Sequence, residues 1–196
     1  MPGPAEGLHG GVKVRDARPE EFAAIGDLRL AAYRADGFVS ATSSYAPTLR
    51  ALGADGTGEI LVAVDDGPGR GGGVRASTGR GGGAGASTVL GTVMLMPWPH
   101  GNVVRSPDDA EIRALAVASE ARGAGIGRAL VAAVMQRAAA RDIRRLLLLT
   151  HPDMRAAQHL YAEAGFCRLP ELDWRAGSGT TLLAFGMNLG PSPSGS

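Results

Sequence analysis

Apolar residues recur along this chain with two periods, and the secondary structure is expected to change where one gives way to the other. Val12 and Val14 alternate as in a short strand. Pro19 then stands where a first helical residue tolerates it, Glu20 and Glu21 suit the positive end of a helix, and Phe22, Ile25 and Leu28 follow at helical spacing. A second short helix is expected near Pro47 to Leu52. Glu59 to Asp65, Val89 to Met96 and Ala110 to Val117 read as strands. After a small-residue turn comes a helix with Ile126, Leu130, Val134 and Ala138 on one face, and Arg137 and Arg141 suit its negative end. Arg145 to Thr150 (RLLLLT) is apolar enough to be buried on both faces of a sheet. Pro152 permits a helix from about Asp153 to Ala164, stopped by Gly165. Phe166 to Leu169 and Thr180 to Leu189 then form a closing antiparallel pair across the loop that holds Trp174. This order predicts an α+β fold, a mixed sheet flanked by helices.

Composition changes that picture at one place. The 196 residues include 30 glycines, well above average usage of roughly 7%. Sixteen of them lie in residues 1–11, 67–88 and 190–196, so the remaining 156 residues carry an ordinary share. Residues 69–78 (GRGGGVRAST) and 79–88 (GRGGGAGAST) are a duplicated unit that enlarges a hairpin loop between two strands. The organisation expected is a tail at 1–11, one domain at 12–189 with a Gly-rich insertion at 67–88, and a tail at 190–196.

Charge and cysteine content exclude several classes. Net charge is +1, and Arg70, Arg75 and Arg80 of the repeat account for more than that excess. No strongly basic face is implied, so nucleic acid is not an expected partner. RNA binding through the Gly/Arg repeat is the minor alternative, although it has no interleaved aromatics. A single cysteine, Cys167, excludes a disulfide framework and a thiolate zinc site, and it reads as a buried small residue; no metal is expected. The start, MPGPAE, lacks a basic segment followed by an apolar one, and no apolar run approaches the ~20 residues of a membrane span. A soluble cytoplasmic protein is expected, monomeric or homodimeric, with no membrane partner.

The most informative segment is Arg122-Gly123-Ala124-Gly125-Ile126-Gly127-Arg128, between a strand and a long helix. Small residues let several main-chain N–H groups converge next to a helix N-terminus, which is a cradle for a pyrophosphate. A P-loop needs Lys then Ser or Thr, and here Arg128 is followed by Ala129. A dinucleotide GxGxxG begun at Gly123 would need Gly at position 128 and a well-placed acidic ribose partner. Arg-x-x-Gly-x-Gly after a strand ending Leu115-Ala116-Val117 resembles the coenzyme-A signature of the Gcn5-related N-acetyltransferase (GNAT) family. The segment Arg155 to Phe166 (RAAQHLYAEAGF) resembles that family's last motif, and the resemblance runs through most of residues 12–189.

The resemblance implies a mostly antiparallel sheet and an N-acetyltransferase that uses acetyl-CoA as co-substrate and transfers its acetyl group directly to an amine. Main-chain groups of Leu115, Ala116 and Val117 would hold the acetyl carbonyl and pantetheine arm, and the backbone from Arg122 through Gly123, Ala124, Gly125, Ile126 and Gly127 to Arg128 the pyrophosphate. Tyr161 would protonate the leaving thiolate. One departure is Met154, where the family often has an Asn that contacts the pantetheine; Asp153 or a main-chain group is the expected replacement.

The base is read from position. Strand alternation puts Glu111 on one face with Arg113, Leu115 and Val117, the side expected to hold the thioester. Arg113 should lower the Glu111 pKa, so a Glu111–Arg113 ion pair and a base are both open readings. His151, at a strand end, is a second candidate base. The acceptor region is expected at Ala31 to Tyr45 and at Glu171-Leu172-Asp173-Trp174, where two acids beside an aromatic suit a cationic amine. A small amine, a peptide N-terminus and a lysine side chain all fit. The alternative from another class is a non-catalytic acyl-CoA-sensing module.

Overall fold

The computed structural model describes residues 12–40, 42–65, 74–75, 87–176 and 179–190. Both tails and most of the duplicated repeat, with the RNA-binding reading attached to it, lie outside the described residues. The chain runs β1 (Val12–Asp16), α1 (Phe22–Ala35), α2 (Ala46–Ala51), β2 (Glu59–Asp65), β3 (Val74–Arg75), β4 (Thr88–Pro97) and β5 (Asp109–Val117). It continues with α3 (Ile126–Ala139), β6 (Arg145–Thr150), α4 (Arg155–Glu163), β7 (Cys167–Arg168), β8 (Trp174–Arg175) and β9 (Thr181–Asn188). The strands lie in the order β1-β2-β4-β5-β6-β9-β7. Pairing is antiparallel except between β5 and β6, so the α+β expectation holds. The Gly-rich repeat does join paired strands, β2 and β4, and its Val74–Arg75 adds a two-residue strand to β4. None of the helices among the described residues is long and apolar enough to cross a membrane.

Each face of the sheet is covered. Leu61, Val93, Leu95, Ile112, Leu146 and Leu148 pack beneath Leu130, Val131 and Val134 of α3. On the opposite face Val62, Val64, Val89, Met94 and Ala116 pack beneath Ile25, Leu28 and Ala32 of α1. Leu146, Leu147 and Leu148 are each 0% exposed, as a central strand covered from both sides requires. The basic residues expected only to complement the end of α3 do more than that. Arg137 donates to Asp16 and Glu59, at 2.8 and 2.5 Å, and Arg141 pairs with Glu59 at 2.7 Å, fastening that end of the helix to β1 and β2. This fixes where its N-terminus points.

The paired ends of β5 and β6 are pinned by Asp109. Its carboxylate, 1% exposed, accepts from Nε and Nη2 of Arg145, both at 2.8 Å, and from the N–H groups of Arg105 and Ser106. Burial alone would raise this carboxyl, but the Arg145 guanidinium and the backbone donors hold it below the ordinary aspartate value. Asp109→Asn is expected to cost about 2 kcal/mol, less than a fully buried pair because the arginine end is partly solvated. A depressed folded pKa means the contribution is present above the unfolded value of about 3.9 and is lost as pH falls through the folded one. Urea titrations should therefore show the gap between parent and variant at neutral pH and its closure in acid.

Candidate active site

The site arises where β5 and β6 stop pairing. Their parallel ladder runs from Asp109↔Arg145 to Ile112↔Leu148 and ends there. Beyond it β5 stays on β4 as far as Gly91↔Val117, and β6 stays on β9 as far as Thr150↔Leu183. The two central strands therefore diverge. The divergence coincides with a bulge: Met94 faces Arg113 and Thr92 faces Ala116, so one extra residue of β5 is left over, and Ala114 has φ 51°. A left-handed conformation is uncommon for alanine and marks the bulge that re-aims the strand.

The bulge corrects the expected face of Glu111. Leu115 and Val117 pack with Ile112 on the α3 side, and Ala116 packs under α1. Inserting one residue inverts the alternation, so Glu111 and Arg113 lie on the opposite face from Leu115 and Val117. The Ala118 N–H bonds Leu90 O on β4; alternation then aims the Val117 N–H at the open edge left by β6.

Two cavities meet at this opening. The first, of about 760 Å³, is lined by main-chain and side-chain groups of Leu115 to Val117, the Arg122 to Arg128 turn, and Asp153, Ala157 and Leu160 across the gap. The turn is built as a donor array. Gly123 and Gly125 have φ 79° and 77°, and Gly125 caps α3 in the left-handed conformation without any side-chain cap. The first helical bond here is Ala129 N–H to Gly125 O, and among the described residues none of the N–H groups from Gly123 to Arg128 makes a backbone hydrogen bond. A Cβ on Gly127 would sit 3.2 Å from Leu160 Cδ2, whereas one on Gly123 would meet nothing within 4 Å. The flanking cations are already engaged: Arg122 donates twice to Asp36, at 2.7 and 3.0 Å, and Arg128 to Glu163 at 2.7 Å. Anion binding falls to the backbone.

The second cavity, of about 710 Å³, shares Tyr33, Phe38 and Met154 with the first. Glu111, Arg113, Thr150, His151 and Trp174 line it, as do Val39 and Ser43 to Tyr45, within the expected acceptor region. Glu111 is 2% exposed. Its Oε2 accepts the Asn102 N–H at 2.5 Å, and its Oε1 is 3.6 Å from Arg113 Nε. Burial is the larger effect on this carboxyl and raises it above its ordinary value, while Arg113 lowers it as expected, and so do the N–H groups of Asn102 and Val103. His151 contacts the Phe38 ring at 5.4 Å, and its Nδ1 accepts the Asp153 N–H at 3.2 Å.

Tyr161 follows the cavity-lining Leu160 on α4 and is not itself among the lining residues of either cavity. It is 6% exposed, packs edge-on against Phe166 with ring centroids 5.9 Å apart, and burial pushes its phenol well above the ordinary value. It is charge-coupled to Tyr33, which lines both cavities and is itself pushed up to about 12 by burial. Met154 lines both cavities, while Asp153 lines the first.

Other expectations change. Cys167 is exposed, because it sits on the edge strand β7. Asp173 is occupied by Arg168 at 2.5 Å and the Ala184 N–H at 2.9 Å, and Glu171 is exposed outside the cavity. Of that loop's expected acceptor group only Trp174 remains. Sequence reasoning missed Arg29, 1% exposed behind the second cavity; a charged residue on the otherwise apolar stripe of Ile25, Leu28 and Ala32 was its signal. Among the described residues no His, Cys, Asp or Glu group could hold a metal ion.

The fold has counterparts among known proteins. Residues 76–166 match the model of the acetyltransferase (GNAT) family. The fold matches that of the GNAT acetyltransferases, and the matched segment holds β5, the glycine turn and α4. The chain is similar to an acetyltransferase of the GNAT family from Staphylococcus aureus Mu50, with TM-score 0.65 and 14% identity over 91% of this chain and 99% of that one. A Gcn5-related N-acetyltransferase from Kribbella flavida gives 0.62 and 22%, over 91% and 98%. The PaiA N-acetyltransferase from Thermoplasma acidophilum, in complex with coenzyme A, gives 0.62 and 13%, over 91% and 99%. No curated protein matches the chain in sequence.

Proposed function

We propose that the protein is an N-acetyltransferase that moves the acetyl group of acetyl-CoA to a primary amine by direct attack in a ternary complex. The observation that carries this reading is the run of N–H groups from Gly123 to Arg128, without a backbone partner among the described residues, in a turn that lines a cavity joined to a second one at Tyr33, Phe38 and Met154. Such a turn suits a pyrophosphate, the open edge of β5 suits the pantetheine arm, and the second cavity suits the acceptor. Asp153 and Arg155 are the polar side chains on the side opposite β5, where Met154 offers no amide.

The amine nitrogen attacks the thioester carbonyl carbon. A C–N bond forms, and the oxyanion is met by the Val117 N–H at the strand edge. As the C–S bond breaks, the sulfur leaves as thiolate and takes a proton from Tyr161. Burial keeps that phenol protonated until the thiolate appears. The nitrogen's surplus proton passes through solvent to Glu111, whose Oε1 is the carboxylate atom not engaged by Asn102. The products are an amide and free coenzyme A.

Titration calorimetry of acetyl-CoA into the full chain is expected to show saturable binding; no heat at high protein concentration contradicts the reading. Binding without thiol release across a broad amine panel would instead favour a sensing module. A raised Glu111 pKa also sets a pH dependence. A base must be ionised, so kcat/KM should rise with pH through a limb lying above the ordinary glutamate value of 4.5. Glu111→Gln is expected to remove that limb and lower kcat/KM by roughly 10²-fold, read from pH–rate profiles of the two proteins.

A further inference from the structure

The charges around the second cavity are unusual for a site that receives an amine. Glu111 and Arg113 are the acidic and basic side chains among the described residues lining it, with the titratable His151 beside them. Glu111 is committed to Arg113 and Asn102, whereas the Arg113 guanidinium makes no hydrogen bond among the described residues. Behind it stands a second cation. Arg29 is 1% exposed, donates through Nη1 to Leu52 O at 2.6 Å, and leaves its buried Nε and Nη2 without partners among the described residues. It lies one helical turn before Tyr33 and is charge-coupled to Tyr33, Tyr45 and Arg113. Burial lowers its pKa to about 10, so it is still a cation at neutral pH. One guanidinium, that of Arg113, lines this cavity beside one carboxylate, and a second lies buried next to the wall residues Tyr33 and Tyr45. A buried cation lacking a counter-charge is costly to keep, and an anionic ligand offsets it.

The rest of the wall narrows the ligand. Phe38, Val39 and Leu182 are apolar, Ser43, Ser44, Thr48 and Thr180 add hydroxyls, and Tyr45 and Trp174 are 43% and 37% exposed. Thr150, 3% exposed where β6 leaves β5, has a buried Oγ1 without a partner. Glu111 and Arg113, two residues apart on one strand face and 3.6 Å apart at their charged ends, complement an ammonium and a carboxylate borne on one carbon.

We infer that the acceptor is a free α-amino acid with an apolar side chain: its carboxylate pairs with Arg113, its amine lies toward Glu111, and its side chain lies among Phe38, Val39, Tyr45 and Trp174. This rests on the acetyltransferase reading and names the acceptor class. The group transferred and the bonds made and broken are those given above. The cationic acceptor that Glu171 and Asp173 suggested in the sequence is replaced by a zwitterionic one.

The test uses the full chain, acetyl-CoA and thiol release, with leucine, methionine and phenylalanine set against their amides and their decarboxylated amines. Each acid is expected to exceed its amide in kcat/KM by roughly 10-fold or more, mainly through KM, consistent with a charge-assisted contact. This preference runs against intrinsic reactivity, because the less basic amide amine is more often unprotonated. Arg113→Gln should shrink the acid-to-amide ratio by about that same factor, and Arg113→Lys should restore part of it. The ratio is the informative quantity: any change in Glu111 basicity affects both substrates and cancels. Arg29→Met should shrink the ratio in the same direction. Amides or simple amines that match the acids, a ratio unmoved in Arg113→Gln, or no turnover of any acid overturns the inference. Failure of acetyl-CoA to bind at all overturns the acetyltransferase reading instead.

Discussion

Gly127→Asp is expected to lower acetyl-CoA affinity by about 10³-fold while leaving the fold as stable as the parent or slightly more so. Position 127 is in the first turn of α3, where the backbone is helical and φ imposes no penalty on a side chain. A Cβ there meets only the flexible tip of Leu160, at 3.2 Å, and Val117 at 3.9 Å, both on the wall of the first cavity. A carboxylate at a helix N-terminus is worth roughly 0.3–1 kcal/mol to the helix. Against a pyrophosphate it is a like charge, and one unit pair about 4 Å apart at an effective dielectric of about 20 costs about 4 kcal/mol. Binding and stability should thus move independently. Calorimetry with acetyl-CoA and a thermal melt separate them, and unchanged affinity would remove the turn from the cofactor site.

Tyr161→Phe is expected to lower kcat by roughly 10²-fold with little change in the KM for acetyl-CoA. The loss belongs to the transition state, because a phenol that protonates the departing sulfur does nothing for the bound thioester. The ring's packing against Phe166 survives the substitution, so a collapse in melting temperature is not expected. Tyr33→Phe is the control: Tyr33 lines both cavities and its phenol is also pushed up by burial. Should Tyr33→Phe carry the loss and Tyr161→Phe leave kcat unaltered, the acid is on α1 and not on α4.

The periodic apolar pattern made the helices and strands legible, because each faces one side of a continuous core. The glycine turn was legible as well, since its chemistry is local: Gly123 and Gly125 take left-handed conformations and Gly127 leaves the helix start open. What escaped depended on how strands meet. Nothing in Glu111-Ile112-Arg113-Ala114-Leu115-Ala116-Val117 announces that Ala114 adopts φ 51°, so strict alternation assigned Glu111 to the wrong face. The bulge belongs to the pairing of β5 with β4 across the loop that joins them, which alternation along one strand does not reveal. Arg29 escaped because a cation on an apolar stripe is normally drawn out to solvent, and here α2 closes over it through Leu52. Asp173 looked free because its partner, Arg168, reaches it only after β7 folds onto β9.

The proposed acetyl transfer takes place across the gap between β5 and β6. The most direct measurement supplies acetyl-CoA labelled in its acetyl group to the full chain with a panel of amines and apolar amino acids. Free thiol and labelled amide are followed by mass spectrometry in the same reactions. The account predicts labelled amide appearing in step with free coenzyme A, both abolished together in Gly127→Asp. Saturable binding of acetyl-CoA with no labelled amide from any acceptor, or thiol release that yields only labelled acetate, would contradict it.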